Sequence, residues 1–401
     1  MPWKIGEVLP LIKQNVVDLI PEEELIDKLK RKDEIIVKYG ADPSRPDLHL
    51  GHYVCLKKLR DLQDLGFKII FIVGDFTAMI GDPTGRSKTR PRLTEEEVKE
   101  NSRTYFEQVF KVLDREKTIV RYNSEWLAKL TAKDVIEIAS TYTVARMLER
   151  DDFAKRYRDN IPISIHEFLY PIFQGYDSYA VKADIEVGGT DQVFNFLVAR
   201  EIQKHFGQEP QVILTVPLLE GTDGKLKMSK SYDNYIGLTE DPKEIYGKVM
   251  SIPDALILKY YKLVLYYTDE QLKRVEEHVK NDPRGAKAKL AYEIVKLLYS
   301  DKEAKEAEEH FNRVFRERKI PENIPEFSLP EAGKNIVEII YEAGLVSSKS
   351  EARRLISQKA VKINGEPVTN IEAVIKPDKE KIIKVGKRKF LKIVPGNGNR
   401  P

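Results

Sequence analysis

Residues 35 to 73 constrain the fold more than any other part of this chain. An apolar run, Ile35-Ile36-Val37, leads through Ala41-Asp42-Pro43-Ser44-Arg45-Pro46 into His49-Leu50-Gly51-His52. An apolar-periodic segment from Tyr53 to Leu65 follows and reads as a helix. Glu34 to Tyr39 and Lys68 to Val73 read as strands on either side of it. Strand, helix and strand in this order form the unit of an α/β, Rossmann-like, doubly wound parallel sheet. Ligands of such sheets sit beyond the carboxyl ends of the strands. Two further strands are expected at Ala183 to Gly188 and Gln211 to Val216.

Chemistry concentrates at two short segments. His49 and His52 lie three residues apart on one helix face, where free N–H groups and the helix dipole favour phosphate oxygens. Gly51 between them lets a flat base or ribose approach the backbone. The second segment, Lys227-Met228-Ser229-Lys230-Ser231, follows Gly221-Thr222-Asp223-Gly224, which reads as a mobile loop. Its two ammonium groups suit negative charge building on departing phosphates. A zinc reading of the histidines fails for want of a third ligand at metal spacing. Tyr170, Gln174 and Asp177 recur at i, i+4 and i+7 in an otherwise apolar helical stretch. A polar face there suits a ligand better than a core.

At 401 residues, two or three domains are expected. No run of 18 apolar residues exists, so no membrane helix is expected, and the first 18 residues lack a signal-peptide layout. The single cysteine, Cys55, cannot form an internal disulfide and favours a reducing, cytoplasmic setting. Net charge is only +3, but residues 331–401 carry 15 Lys/Arg against 8 Asp/Glu. A basic module on a mildly acidic body suits contact with a polyanion.

The organisation expected along the chain is a catalytic domain over 1–232, with a helical insertion at about 94–180. A helical domain over 233–320, a proline-bearing linker over 321–332 and a small α+β domain over 333–401 follow. Long amphipathic runs, Leu93 to Leu113 and Asp134 to Arg150, mark the insertion. In the tail, Asn335 to Glu342 and Ser348 to Gln358 read as helices, and Ala360 to Val368 as a hairpin turned at Asn364-Gly365. Ser350 can cap the second helix, which carries Arg353 and Arg354 and is followed by Lys359.

These motifs, in this order, resemble the class I aminoacyl-tRNA synthetases, and the rest of the chain is similar to the bacterial-type tyrosyl-tRNA synthetase family from about residue 30 to 395. The resemblance implies a homodimer using ATP with Mg²⁺ to activate L-tyrosine and charge tRNA(Tyr). It implies a dimer contact in the insertion, an anticodon-binding role for 233–320 and an S4-like RNA-binding tail using Arg353, Arg354 and Lys359. His49 and Ser44 are then expected at the γ-phosphate, His52 and Gly51 at ribose and base, and Asp42 fixing substrate position. Lys227 and Lys230, with Met228 and Ser229 between them, close over the β- and γ-phosphates, joined by Arg86 and Arg90. Gly188-Gly189-Thr190-Asp191-Gln192 matches a ribose-binding turn, placing Gly189, Asp191 and Gln192 at ATP. Asp82, Tyr170 and Gln174 would hold the substrate ammonium, and Asp177 would accept from the phenolic hydroxyl. The family commonly has tyrosine four residues before the Asp-Pro aspartate, where this chain has Lys38 with Tyr39 beside it. Tryptophan activation, small-molecule adenylyl transfer and a non-catalytic RNA-binding descendant are the competing readings.

Overall fold

The computed structural model describes residues 3–43, 47–84, 94–316, 324–330, 332–377, 380–386 and 389–395. It divides into two units, 1–308 and 309–401. The first is built on a six-stranded sheet: β1 (Asp18–Ile20), β2 (Ile36–Ala41), β3 (Lys68–Val73), β4 (Thr118–Tyr122), β5 (Ile185–Gly189) and β6 (Val212–Val216). Spatial order is β1-β6-β5-β2-β3-β4. Only β1 runs antiparallel to its neighbour. β3, β5 and β6 are buried almost throughout, as expected where helices cover both faces of a parallel sheet.

From β2 the chain moves outward through β3 and β4, then returns to the other side of β2 for β5 and β6. The direction reverses between β2 and β5, and a crevice opens there at the carboxyl ends of both strands. β2 delivers Asp42 to that crevice and β5 delivers Gly189 and Asp191.

Several elements differ from the sequence expectation. The first helix of the βαβ unit is Leu50–Asp64, so His49 sits at its N-cap instead of ahead of a start at Tyr53. The run expected to be one helix from Asp134 to Arg150 is two, Ala132–Ala139 and Val144–Met147. Thr143 interrupts it by accepting from the Arg146 N–H, the local bond that draws threonine to helix starts. β4 lies inside the stretch expected to be helical; it is a five-residue edge strand in which Arg121 stands among β-branched and aromatic residues, too short to stand out between helices.

The second unit holds a sheet ordered β10-β9-β12-β13-β7, with β7 (Glu326–Leu329), β9 (Val361–Ile363), β10 (Glu366–Pro367), β12 (Lys381–Val385) and β13 (Lys389–Pro395). A two-residue pair joins β8 (Lys334–Asn335) to β11 (Val374–Ile375). Helices Ile336–Glu342 and Lys349–Ser357 pack on a core that includes Leu329, Ile340, Ile356, Ile383 and Leu391. β7 falls within the expected linker, where its prolines had suggested irregular chain; it pairs in parallel with β13. Ser348, not Ser350, caps the second helix, accepting from the Glu351 N–H at 3.1 Å. Asn364 and Gly365 both adopt positive φ, 49° and 92°, as a two-residue hairpin turn of that type requires.

Candidate active site

The crevice is lined by Asp42, Asp47, His49, Gly51, His52, Asp82, Tyr170, Gln174, Asp177, Gly189, Asp191, Gln192, Lys227, Met228, Ser229 and Lys230. Both histidines and both lysines, about 175 residues apart in sequence, therefore share one cleft. Ser44, Arg86 and Arg90 lie outside the described residues.

Local bonds explain how the histidine and lysine segments meet. Leu50 N–H donates to the Ile236 carbonyl and Leu238 N–H to the Leu48 carbonyl, both at 2.9 Å, with His49 bridged to Gly237. The stretch just after the lysine segment is thus stitched to the N-terminus of the Leu50–Asp64 helix. Asn234, nearly fully buried, accepts from the Ser229 N–H at 2.8 Å and donates to the Leu226 and Lys227 carbonyls. Lys227 pairs with Asp191 at 2.5 Å and Lys230 with Asp47 at 2.9 Å.

The imidazoles lie 3.9 Å apart between ring centroids. The His49 N–H donates to Nδ1 of His52 at 3.3 Å, which leaves the His52 proton on Nε2. Burial, then the charges of Lys230 and Lys227, lower the His52 pKa to about 4. Burial also carries His49 well below its ordinary value, aided by His52 and the same lysines. Both rings are neutral at pH 7. Nδ1 of His49 is buried with no hydrogen-bond partner among the described residues. A Cβ on Gly51 would come within 3.0 Å of the His49 ring, so the glycine leaves room for that ring to lie against the backbone.

The far end of the cleft is built differently. Asp177, almost fully buried, accepts from Trp126 Nε1 at 2.8 Å and from Asn123 Nδ2 at 3.2 Å. Burial pushes its pKa up to about 7, opposed by Lys38 and by those two hydrogen bonds. Asn123 also donates to Thr77 Oγ1, which donates to Asp42 Oδ1 at 2.8 Å. The Tyr170 hydroxyl donates to Asp42 Oδ2 at 2.9 Å. Gln174 Oε1 accepts from Asn195 at 3.0 Å, and Gln192 donates to Asp82 at 3.2 Å. The result is a slot with a buried carboxylate at one end and further polar groups, Asp82, Tyr170 and Gln174, along its wall.

The family model described as tRNA synthetases class I (W and Y) matches residues 30–316. The chain belongs to the class I tRNA synthetases. Residues 317–393 match the model of the tyrosine–tRNA ligase SYY-like C-terminal domain. The tyrosine–tRNA ligase of Thermotoga maritima is 55% identical over 393 residues, 97% of this chain and 98% of that protein. That of Aquifex aeolicus is 52% identical over 390 residues, covering 97% and 99%. Among solved structures, the tyrosyl-tRNA synthetase of Archaeoglobus fulgidus complexed with L-tyrosine superposes with a TM-score of 0.63 at 27% identity. It covers 76% of this chain and 100% of its own.

Within this class I tRNA synthetase, sequence reasoning missed Asp47, Thr77, Asn123 and Trp126. Asn123 directly follows β4, so once that strand is seen the carboxyl-end rule points to it. Trp126 carries no such signal; only its indole N–H at Asp177 reveals it. Lys38 is fully buried and turns toward the helix Ile165–Ala180, bonding Glu186, Ser178 and the Gln174 carbonyl. Tyr39 lines the cleft beside Cys55, where burial holds its hydroxyl well above the ordinary range.

Proposed function

We propose that the chain activates L-tyrosine with ATP, releasing pyrophosphate, and transfers the tyrosyl group to the 3′ end of tRNA(Tyr). The observation that carries this reading is Asp177, a buried carboxyl that lines the slot and is held by two donors, one on each oxygen. A phenolic O–H completes that acceptor, whereas phenylalanine leaves it unpaired at a cost of about 1–3 kcal/mol. The family match and the relatives' names support the same reading.

In the first step the tyrosine carboxylate attacks the α-phosphate in line and pyrophosphate leaves. No enzyme nucleophile is required, so the residues act by position and charge. Asp82, Gln174 and Tyr170 hold the ammonium; Tyr170 donates to Asp42, which leaves its oxygen lone pairs to accept. Neutral His49 and His52 offer N–H donors at the helix start to the bending triphosphate. Gly189, Asp191 and Gln192 take the ribose. Lys227 and Lys230 leave Asp191 and Asp47 for the β- and γ-phosphates as charge accumulates there, with Met228 and Ser229 as the backbone between them. Asp42 stays fixed by Thr77 and Tyr170 and orders the wall that both substrates share.

No group of three or more metal-ligating side chains occurs among the described residues. Mg²⁺ would arrive on the nucleotide's phosphates, the usual way that cation enters such sites. Exposed Ile136, Val144, Tyr157 and Ile165 give the 130–165 region an apolar surface suited to a homodimer contact. Helices between 233 and 320 suit the anticodon arm, and the exposed Arg353, Arg354 and Lys359 suit tRNA phosphates. Cys55, buried and unpaired, suits a cytoplasmic enzyme. No helix of the described residues is long and apolar enough to cross a membrane.

The test is ATP–pyrophosphate exchange with each amino acid in turn. Exchange driven by tyrosine supports the reading. Exchange driven by tryptophan instead, or by neither, overturns it.

A further inference from the structure

In the wall of the slot, where Glu186 lines it beside Gln174, lies a buried charged cluster that the reaction scheme does not use. Lys38 on β2 is wholly inaccessible, and its ammonium sits 2.8 Å from Glu186 Oε1 on β5. The same nitrogen donates at 2.8 Å to Ser178 Oγ and at 2.8 Å to the Gln174 carbonyl, both on the helix Ile165–Ala180. Ser178 in turn donates to Glu186 Oε2 at 3.1 Å, and Gln211 donates to that same oxygen. One ammonium therefore ties two neighbouring strands to the turn of helix that carries both Gln174 and Asp177.

A buried ion pair is weak evidence for stability, because desolvating two charges offsets much of their attraction. Its position suggests another use. Charged groups stand on several elements around the Asp177 end of the slot: Lys38 on β2, Glu186 on β5, Asp75 on the Asp75–Ala78 helix, and Glu125 on the Ser124–Leu127 helix, paired at 2.7 Å with Arg121 of β4. Asp75 is occupied by Ser124 and the Phe76 N–H, and the charges acting on Asp177 are Lys38, which favours its ionised form, and Glu186, which opposes it.

We infer that Lys38 and Glu186 form a specificity-determining pair, in which Lys38 holds the Gln174–Ser178 turn in register and keeps Asp177 an ionised acceptor for the substrate hydroxyl. This rests on the proposed tyrosine reading. Lys38 and Glu186 touch no substrate in this scheme; they are positioning residues. The two charges act in opposite directions on Asp177, so removing one and removing both have different consequences, although both variants lose the clamp on the Gln174 carbonyl.

The experiment is equilibrium dialysis of labelled L-tyrosine and L-phenylalanine, without ATP, between pH 5.5 and 8.5. It compares the parent protein with Lys38→Met, Lys38→Arg and Lys38→Met/Glu186→Gln. The parent should bind tyrosine more weakly as pH falls through about 7, the Asp177 value. Neither imidazole titrates there, because His52 lies at about 4 and His49 well below its ordinary range. Lys38→Met should move that acid limb up by about one to two pH units, the effect of one charge several ångströms away at an effective permittivity of about 20. At pH 7 tyrosine binding should weaken by about fivefold or more while phenylalanine binding changes less. The double variant should return the limb toward the parent position, and Lys38→Arg should keep it there.

A limb in the same place for parent, single and double variants, with tyrosine and phenylalanine weakened alike, reduces Lys38 to a packing residue and overturns the inference. Should Lys38→Met fail to fold, the double variant and Lys38→Arg decide, since loss of tyrosine preference with charge retained by arginine also overturns it. A parent that binds no tyrosine fails the function reading itself, a separate result visible before any variant is made.

Discussion

Replacing Lys230 by alanine isolates the charge that the lysine segment brings to the leaving group. The Lys230 side chain is only 9% exposed, and its ammonium pairs at 2.9 Å with Asp47, whose side chain is 46% exposed. A pair with one partner that open is worth at most about 1 kcal/mol, so freeing Lys230 for a phosphate hinders it by no more than about fivefold. A donor aimed at charge that develops in the transition state contributes about 10²–10³ in rate. The difference leaves a net loss of about 10²-fold in tyrosyl-adenylate formation for Lys230→Ala. Tyrosine affinity should stay within about twofold, because the slot around Asp177, Tyr170 and Gln174 lies apart from this contact and uniform binding is untouched. Rapid-quench measurement of adenylate formation, alongside tyrosine dialysis, checks both halves. A loss below about tenfold, or a collapse of tyrosine binding, would refute the assignment of Lys230 to the departing phosphates.

Other outcomes follow from the same geometry. Trp126→Phe removes the indole donor from Asp177 while keeping an aromatic ring, and should weaken tyrosine binding by about tenfold and phenylalanine binding less, read by the same dialysis. Gly188→Ala places a methyl 2.5 Å from Phe196 Cζ, inside the core beneath the ribose turn. It should destabilise by about 1–3 kcal/mol in urea unfolding and raise the KM for ATP. Because β7 (Glu326–Leu329) belongs to the second sheet, a truncation that removes that sheet whole must start ahead of it. Deleting residues 317 onward should spare pyrophosphate exchange and abolish tRNA charging, measured by aminoacylation. His52 is depressed to about 4 in the folded protein, so the unfolded chain binds a proton there first as pH falls. Stability should therefore decline between about pH 6.5 and 4, by at most about 3 kcal/mol from this residue. His52→Gln should flatten that part of the melting profile.

The sequence by itself determined the parts whose information is local. The apolar runs at β2, β3, β5 and β6 follow from hydrophobic content, with strand ends within two or three residues of those observed. The Asn364-Gly365 turn follows from residues that tolerate positive φ, and His49-Leu50-Gly51-His52 announces itself at a strand-to-helix junction. Only the tertiary structure decided what depends on distant segments meeting. β4 and β7 draw their strand identity from a partner strand elsewhere in the chain, since hydrogen bonding across a sheet is not written in either strand alone. Which serine caps the Lys349–Ser357 helix depended on where that helix begins, by a margin of two residues. Asp177 could be picked out by helical spacing, but Asn123 and Trp126, which orient it, come from about 50 residues earlier. Lys38 stood out in the sequence only because it occupies the position where the family commonly has tyrosine. Its burial against Glu186 is affordable because the fold supplies a counter-ion and two oxygen acceptors at one point, a convergence no linear pattern records.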